Sequence, residues 1–151
     1  MKLKNGAYAV IDYSHTSDSL KNAIFAAKEI LTPANGRKVI TIFGCGGNKD
    51  VTKRPVMGKI ASEYSDFAIV TSDNPRYEEP MDIIKQILQG MGGKKNYIVD
   101  ENREDAIKKG IEMSSEGDII LICGKGHETY QEVKGVKSHF DDKEIVEKYN
   151  K

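Results

Sequence analysis

Residues 38–76 read KVITIFGCGGNKDVTKRPVMGKIASEYSDFAIVTSDNPR, and this stretch indicates the fold of the chain. Two runs rich in β-branched residues, Lys38–Phe43 and Phe67–Thr71, are typical of buried strands. Between them lie a glycine-rich loop and a segment with helical spacing from about Pro55 to Tyr64. A strand, a helix and a second strand in this order are typical of a parallel sheet whose faces are covered by helices.

The alternation of strands and helices continues on both sides of this stretch. Further strands are predicted at Tyr8–Ile11, Tyr97–Val99 and Asp118–Ile122. Further helices are predicted at Leu20–Leu31, Pro80–Leu88 and Arg103–Met113, the last with Asn102 as its cap. The chain is therefore expected to be an α/β domain with a mostly parallel sheet.

The C-terminal part of the sequence has a different pattern. Thr129–Val133 and Val136–Phe140 flank Lys134–Gly135 and predict an antiparallel hairpin, and a last helix is expected to begin at Asp141 or Asp142. The complete prediction is a Rossmann-like domain of three layers. Its sheet has about six strands, with the hairpin at one edge.

Composition limits the classes of function. The 151 residues suit one domain, and Lys plus Arg and Asp plus Glu each total 23. The chain therefore lacks the positive excess that nucleic acid or an anionic membrane would attract. No apolar run approaches the about 18 residues of a membrane-spanning helix, and the first ten residues lack a signal-peptide core. Cys45 and Cys123 do not make a disulfide framework, so a cytoplasmic location is expected.

Four loops that follow predicted strands carry most of the unusual residues. In open α/β sheets, ligands bind beyond the carboxyl ends of the strands. The loops are DYSHT (12–16), GCGGNKD (44–50), SDNPR (72–76) and CGKGHE (123–128). Because parallel strands end at the same edge of a sheet, we expect the four loops to form one binding site.

The DNPR loop has the most specific chemistry. Pro75 favours an extended Asn74, and Arg76 supplies a planar group that can bind a carboxylate through two N–H groups. Asp73 and Glu128 are acceptors suited to an ammonium group. One arginine and two carboxylates predict an amino-acid ligand, whereas a turn with surface salt bridges is the alternative explanation of these residues.

Other familiar motifs are incomplete. The glycines at 44–47 can expose N–H groups to an anion, but Lys49 stands where the last glycine of GxGxxG would be. No complete GxxxxGKS/T motif occurs in the chain. The histidines and cysteines show no paired metal-ligand spacing, and nothing in the sequence orients a Cys/His pair for nucleophilic attack. The sequence therefore predicts no metal site in this chain.

Five motifs together resemble the C-terminal domain of the MurE group of Mur ligases. They are DYSHTSDSL (12–20), GCGGNKDVTKRPVMG (44–58), TSDNPRYEEP (71–80), GKGHE (124–128) and HFDDKE (139–144). Members of this group join a diamino acid to UDP-N-acetylmuramoyl-L-alanyl-D-glutamate in peptidoglycan synthesis for the cell wall. The DNPR motif is similar to the signature of members that select meso-diaminopimelate over lysine.

The resemblance implies roles for individual residues. Diaminopimelate would be bound by Lys49, Asp73, Asn74, Pro75, Arg76, Gly124 and Glu128. The nucleotide side would contain Asp12, His15, Lys53 and Arg54. No catalytic residue is implied, and Glu128 and His127 are candidates for the base. The group usually has GGDRD where residues 46–50 read GGNKD, so Lys49 keeps the charge but lacks the planar fork of arginine.

The resemblance also implies a larger enzyme. Mur ligases of this group have an N-terminal domain for the UDP-sugar, a central P-loop domain for ATP and Mg²⁺, and a C-terminal domain that matches residues 1–151. We expect the first two domains to be absent from this sequence. ATP would form an acyl phosphate on the D-glutamate side chain, which the diaminopimelate amine attacks. The chain by itself is expected to be inactive as a ligase.

Several other functions stay open at this point. The same ligase chemistry can serve lysine or meso-lanthionine in place of diaminopimelate. A regulatory amino-acid-binding or nucleotide-binding module would use the same loops without catalysis. An oxidoreductase domain is allowed by the fold but weakened by the missing GxGxxG motif. Folylpolyglutamate synthases share the general architecture but are not expected to contain DNPR.

Overall fold

The computed structural model describes residues 1–31 and 36–150. Within these ranges it contains a five-stranded parallel sheet and a separate two-stranded antiparallel sheet. The parallel strands are β1 (Tyr8–Asp12), β2 (Val39–Phe43), β3 (Phe67–Val70), β4 (Tyr97–Val99) and β5 (Ile119–Cys123). Their order in the sheet is β1-β5-β2-β3-β4. The helices are α1 (Ser17–Leu31), α2 (Lys53–Tyr64), α3 (Pro80–Gln89), α4 (Arg103–Met113) and α5 (Asp142–Tyr149). The predicted α/β fold class is confirmed.

The hairpin differs from the prediction in its position. β6 (Tyr130–Val133) and β7 (Val136–His139) pair antiparallel through a turn at Lys134–Gly135, where both residues have positive φ. They form their own sheet instead of adding a strand to the edge of the large one. The outer edge of β1 is met by the N-terminal segment through a bridge between Lys2 and Tyr8, whereas the hairpin bridges to Arg76. Alternation of apolar and polar residues predicts a strand, but it does not show which edge of a sheet that strand pairs with.

The core consists of two apolar layers, one on each face of the sheet. Every residue of β2 and β5 is buried, as the continuous apolar character of these central strands predicts. One layer packs α1, α2 and α3 against the sheet through residues such as Leu20, Met57 and Ile84. The other packs α4 and α5 through residues such as Ile107 and Val146. No helix in the described part of the chain is long and apolar enough to cross a membrane.

α4 and α5 each begin next to a capping side chain, and the first residues of the two helices form a buried ion pair. The Asn102 side chain accepts a hydrogen bond from the Asp105 N–H at 2.9 Å, which confirms the predicted cap of α4. The Asp141 side chain accepts from the Lys143 N–H at the start of α5. The first residues of α4 and α5 are Arg103 and Asp142, and both side chains are completely buried.

Arg103 joins the ends of two strands to α5. Its Nε and Nη2 atoms each donate to an Asp142 carboxylate oxygen at 2.8 Å. Its Nη1 and Nη2 atoms also donate to the main-chain carbonyls of Ser72 at 3.0 Å and Cys123 at 3.1 Å. Ser72 lies just after β3, and Cys123 is the last residue of β5. One guanidinium therefore sets the relative position of the loops that continue from these strands.

Replacing Asp142 with alanine is expected to lower the free energy of unfolding by about 3–5 kcal/mol, because it leaves the Arg103 charge buried without a partner. Urea unfolding followed by circular dichroism measures the loss. The matched control is Glu147→Ala, an exposed carboxylate on the same helix, which should change stability by less than about 0.5 kcal/mol. A loss of less than about 1 kcal/mol in Asp142→Ala would show that the pair is not needed.

Candidate functional site

A pocket of about 330 Å³ lies where the parallel strands end. The residues that line it come from all four of the loops singled out in the sequence and from the first residue of α2. They are Tyr13, His15, Gly46, Lys49, Asp50, Lys53, Asp73, Arg76, Gly124 and Glu128. The four loops meet here because β1, β5, β2 and β3 are neighbours in the sheet and run in the same direction.

A larger cavity of about 690 Å³ lies beside the start of α4, but its chemistry is less suited to an amino acid. Its lining includes Asp100, Glu101 and Glu104, and its guanidinium, that of Arg103, is already paired with Asp142. Chemistry therefore identifies the smaller pocket, which combines cationic and anionic side chains, as the candidate site.

Lys125 is completely buried beside the pocket and holds several of its parts together. Its Nζ atom donates to Asn74 Oδ1 at 2.7 Å and to the Tyr130 carbonyl at 2.9 Å. The same atom lies 3.3 Å from Asp73 Oδ1 and 3.7 Å from Glu128 Oε1. Burial lowers the pKa of Lys125, and the carboxylates of Asp73 and Glu128 oppose that shift. The ammonium thus offsets the repulsion between two carboxylates that share one wall of the pocket.

The sequence pattern around Lys125 does not predict that its side chain is buried. The feature of the sequence that could have indicated this burial is the position of the lysine between two glycines in the GKGHE motif. Both glycines have positive φ, so they form a tight turn around the lysine. A Cβ atom at Gly124 would lie 2.9 Å from Asp73 Oδ2, so glycine allows this turn to approach the carboxylate closely. The backbone of the turn directs the lysine inward, which residue spacing does not reveal.

Arg76 reaches the pocket from an unusual backbone conformation. Its φ of 53° lies in the left-handed region, which non-glycine residues rarely adopt. Nη1 donates to the Gly47 carbonyl at 3.1 Å, and Nε lies 3.4 Å from Glu132 Oε1. Among the described residues, Nη2 has no hydrogen-bond partner, so its N–H groups are available to a ligand carboxylate.

Asn74 and Pro75, two of the predicted binding residues, do not line the pocket. The Asn74 side chain is buried, and its Oδ1 accepts from Lys125 Nζ and from the Glu132 N–H. Pro75 packs its carbonyl against Gly47, where a Cβ atom would lie only 1.8 Å from that oxygen. Both residues therefore shape the loops around the pocket.

Lys49 stands at the mouth of the pocket and is exposed. Within the described ranges it forms no ion pair, and its charge is the nearest substitute for the arginine of the GGDRD pattern. Lys53 lines the same pocket and donates from Nζ to the His15 carbonyl at 2.8 Å. His15 is exposed, with its ring edge against Tyr13.

Asp12 and Arg54 lie near the pocket but have structural partners. Asp12 Oδ1 accepts from the N–H of Ser14 at 2.7 Å and from its hydroxyl, which orders the loop after β1. Arg54 is completely buried, with Nη1 and Nη2 donating to the two carboxylate oxygens of Glu78 at 3.0 and 2.7 Å. The expected positive charge of Arg54 on the nucleotide side is therefore balanced inside the protein.

The Arg54–Glu78 pair supports the glycine-rich loop. Arg54 Nη2 donates to the Gly46 carbonyl at 3.0 Å, and Glu78 Oε2 accepts from the Asn48 N–H at 2.6 Å. The hydrogen bonds from Arg54 and from the Asn48 backbone lower the pKa of Glu78 to about 2. Sequence spacing did not reveal this pair because its members lie on different elements.

The thiols and histidines do not form a reactive group in the structure. Burial raises the pKa of Cys45 to about 12 and also raises the pKa of Cys123. Both thiols are thus protonated at neutral pH, and neither is suited to act as a nucleophile. Among residues 1–31 and 36–150, no group of three or more His, Cys, Asp or Glu side chains is arranged to hold a metal ion.

Comparison with known proteins gives matches over nearly the whole chain. The family model described as Mur ligase, glutamate ligase domain, matches residues 1–126. A Clostridium botulinum protein named UDP-N-acetylmuramoyl-L-alanyl-D-glutamate--2,6-diaminopimelate ligase is 49% identical over 142 residues, which is 94% of this chain. The protein of the same name from Clostridioides difficile is 51% identical over 93% of the chain. The chain spans 28% of the length of each of these relatives.

Solved structures agree with the sequence matches. A structure with the same ligase name superposes with a TM-score of 0.85 at 35% identity, and it covers 99% of this chain and 31% of its own. The bifunctional folylpolyglutamate synthase/dihydrofolate synthase from Yersinia pestis superposes with a TM-score of 0.56 at 15% identity. That match covers 77% of this chain and 25% of the synthase, and it shows a shared fold.

The Glu78 carboxylate gives stability that depends on pH. Because its pKa falls from 4.5 to about 2 on folding, its contribution is complete above pH 4.5 and is lost as the pH falls toward 2. Glu78→Gln should therefore be less stable than the wild type at pH 7, with the difference shrinking between pH 4.5 and 2. Urea unfolding across this range measures it, with the exposed neighbour Glu79→Gln as control. A difference that is the same at every pH would contradict the assignment.

Proposed function

The chain belongs to the Mur ligase family, through the glutamate ligase domain that spans residues 1–126, and from this premise we propose that it is the amino-acid-binding domain of an ATP-dependent peptide ligase. The proposed reaction adds meso-diaminopimelate to UDP-N-acetylmuramoyl-L-alanyl-D-glutamate in peptidoglycan synthesis. The names of relatives about half identical to this chain support that choice. ATP and a UDP-sugar as substrates place the proposed reaction in the cytoplasm.

The distribution of charge in the pocket is the observation that carries the proposal. Arg76 and Lys49 provide positive charge, and Asp73 and Glu128 provide the carboxylates. Each end of meso-diaminopimelate has one carboxylate and one ammonium group. In the proposed complex, the distal carboxylate binds Arg76 and Lys49, while the distal ammonium binds Asp73 and Glu128. Because Gly124 has no side chain, the wall of the pocket that carries Asp73 and Glu128 can approach the ligand closely.

The same geometry explains why lysine would be rejected. Lysine has an ammonium group at its distal end but no carboxylate, so it would leave the Arg76 guanidinium desolvated without a partner. A site built to bind a polar group rejects the analogue that lacks it by on the order of 10⁴-fold. Meso-lanthionine has the same distal groups as diaminopimelate. Because Lys49 lacks the planar fork of the usual arginine, meso-lanthionine is the second ligand to test.

The chain would contribute to the reaction by positioning the amine. We propose that ATP phosphorylates the D-glutamate side chain at another domain, giving ADP and an acyl phosphate. The diaminopimelate nitrogen then forms the amide bond, phosphate leaves, and the nitrogen loses a proton to a base. Of the two candidate bases, Glu128 lines the pocket but binds the distal ammonium in the proposed complex, and His127 lines a separate cavity of about 250 Å³, so neither is assigned as the base. Holding the amine in line with the acyl carbon accounts for much of the rate enhancement in such a step.

Two further domains complete the proposal. An N-terminal domain would bind the UDP-sugar, and a central P-loop domain would bind most of ATP and its Mg²⁺. His15 and Lys53, which both line the pocket, are the proposed contacts toward the nucleotide, with Asp12 ordering the loop that contains His15.

Arg76→Ala is expected to weaken binding of meso-diaminopimelate to the 151-residue chain by at least about tenfold, because the distal carboxylate loses its guanidinium partner. Binding of L-lysine should change by less than about twofold. Calorimetric or NMR titrations with both amino acids and with meso-lanthionine measure the preference. The control is Lys85→Ala, an exposed cation on α3. An unchanged preference in Arg76→Ala, or equal affinity of the wild type for all three ligands, would refute the proposed recognition.

The chain by itself is expected to form no product from ATP, UDP-N-acetylmuramoyl-L-alanyl-D-glutamate and meso-diaminopimelate, since the chain has no P-loop motif. Addition of N-terminal and central domains from a relative should produce activity. Phosphate release and mass spectrometry of the nucleotide-linked peptide provide the measurement. ATP-dependent product from the chain without those domains would contradict the proposed division of labour.

A further inference from the structure

We infer that the hairpin of β6 and β7 is a specificity element of this pocket, and that Glu132 is the positioning residue for Arg76. The inference rests on the proposed function, since it assigns the recognition of a distal carboxylate to one ion pair. The first indication is the composition of the hairpin. All residues of β7 are exposed and no residue of β6 is fully buried, so the hairpin adds little to either apolar layer.

The contacts of the hairpin are instead polar, and they converge on the DNPR loop. The Gln131 side chain donates to the Asp73 carbonyl at 2.8 Å. The Glu132 N–H donates to Asn74 Oδ1 at 3.0 Å. The hairpin thereby fixes the two residues of the loop that lie next to Lys125.

Arg76 is held by the hairpin on both sides of its peptide unit. Its N–H donates to the Glu132 carbonyl at 3.0 Å, and its carbonyl accepts from the Lys134 N–H at 2.6 Å. These two bonds enclose a residue with a φ of 53°, a conformation that persists in non-glycine residues only where the surroundings impose it. The hairpin is the element that imposes it here.

The side chain of Glu132 then orients the guanidinium. Its Oε1 atom lies 3.4 Å from Arg76 Nε, and the Gly47 carbonyl accepts from Nη1 on another side. With these two positions occupied, Nη2 is the part of the fork without a protein partner among the described residues. A fork held in one orientation loses less entropy when it binds a carboxylate than one that rotates freely.

The hairpin lies outside the part of the chain that the family model matches. The model of the glutamate ligase domain ends at residue 126, before β6 begins at Tyr130. The superposed diaminopimelate ligase covers 99% of the chain, so the hairpin belongs to the part that this structure matches.

Glu132→Ala and Glu132→Gln separate positioning from simple neutralisation of charge. Loss of positioning should weaken meso-diaminopimelate binding about tenfold in Glu132→Ala, with Glu132→Gln recovering part of the affinity because it keeps the shape and an oxygen near Nε. L-Lysine binding should change by less than about twofold. Lys137→Ala is the hairpin control, since Lys137 lies opposite Glu132 in the strand register and its ammonium lies over the Tyr130 ring, 4.6 Å from the centroid.

The measurements are titrations of the 151-residue chain with each amino acid and ¹⁵N NMR of its arginine side chains. The arginines are Arg37, Arg54, Arg76 and Arg103, and only the Arg76 Nε resonance should shift and broaden in Glu132→Ala. Unchanged or tighter diaminopimelate binding in Glu132→Ala, with a wild type that prefers this ligand, would overturn the positioning role. A wild type without that preference would overturn the proposed function instead, and the inference with it.

Discussion

The guanidinium of Arg103 is the interaction on which the geometry of the pocket depends. It joins Asp142 on α5 to the carbonyls of Ser72 and Cys123, which directly precede Asp73 and Gly124. Replacing a buried ion pair with apolar residues is often neutral or stabilising, so stability does not explain why charges occupy this place. The directions of four hydrogen bonds from a single planar group do explain it. The pair fixes how two strand ends lie relative to each other, and the ligand-facing loops begin at those ends.

A second buried cation converts this framework into a pocket with separated charges. Lys125 lies between Asp73 and Glu128 on one wall, and Arg76 and Lys49 line the same pocket with positive charge. The chain has no net charge, yet its charges are distributed so that an ammonium and a carboxylate can bind side by side. Selectivity in such a site arises from the group that a wrong ligand leaves unpaired, more than from the contacts that a right ligand makes.

Periodicity in the sequence predicts the helices and strands well, because burial on a sheet or helix face imposes a repeat of its own. The continuous apolar runs of β2 and β5 and the Asn102 cap are examples. Rules for parallel sheets also predict that the four loops meet at one edge. The partner of the hairpin was not predictable, since its alternation is equally compatible with the edge of β1.

The exact roles of individual site residues were less accessible to sequence reasoning. Arg54 was expected near the nucleotide but is buried against Glu78, and Asn74 binds Lys125 instead of facing the pocket. In both cases the partner is far away in the sequence, so no spacing rule connects them. Glu78 and Glu132 became relevant only through distances. Motifs identified the loops, whereas the fold decides which side chains in them face a ligand.

A crystal structure of the chain with meso-diaminopimelate tests the central claim most directly. We predict the ligand in the pocket lined by Arg76 and Glu128, with its distal carboxylate within hydrogen-bond distance of Arg76 Nη2 and its distal ammonium against Asp73 and Glu128. A ligand seated in the larger cavity beside α4, or one whose distal carboxylate makes no contact with Arg76, would contradict it.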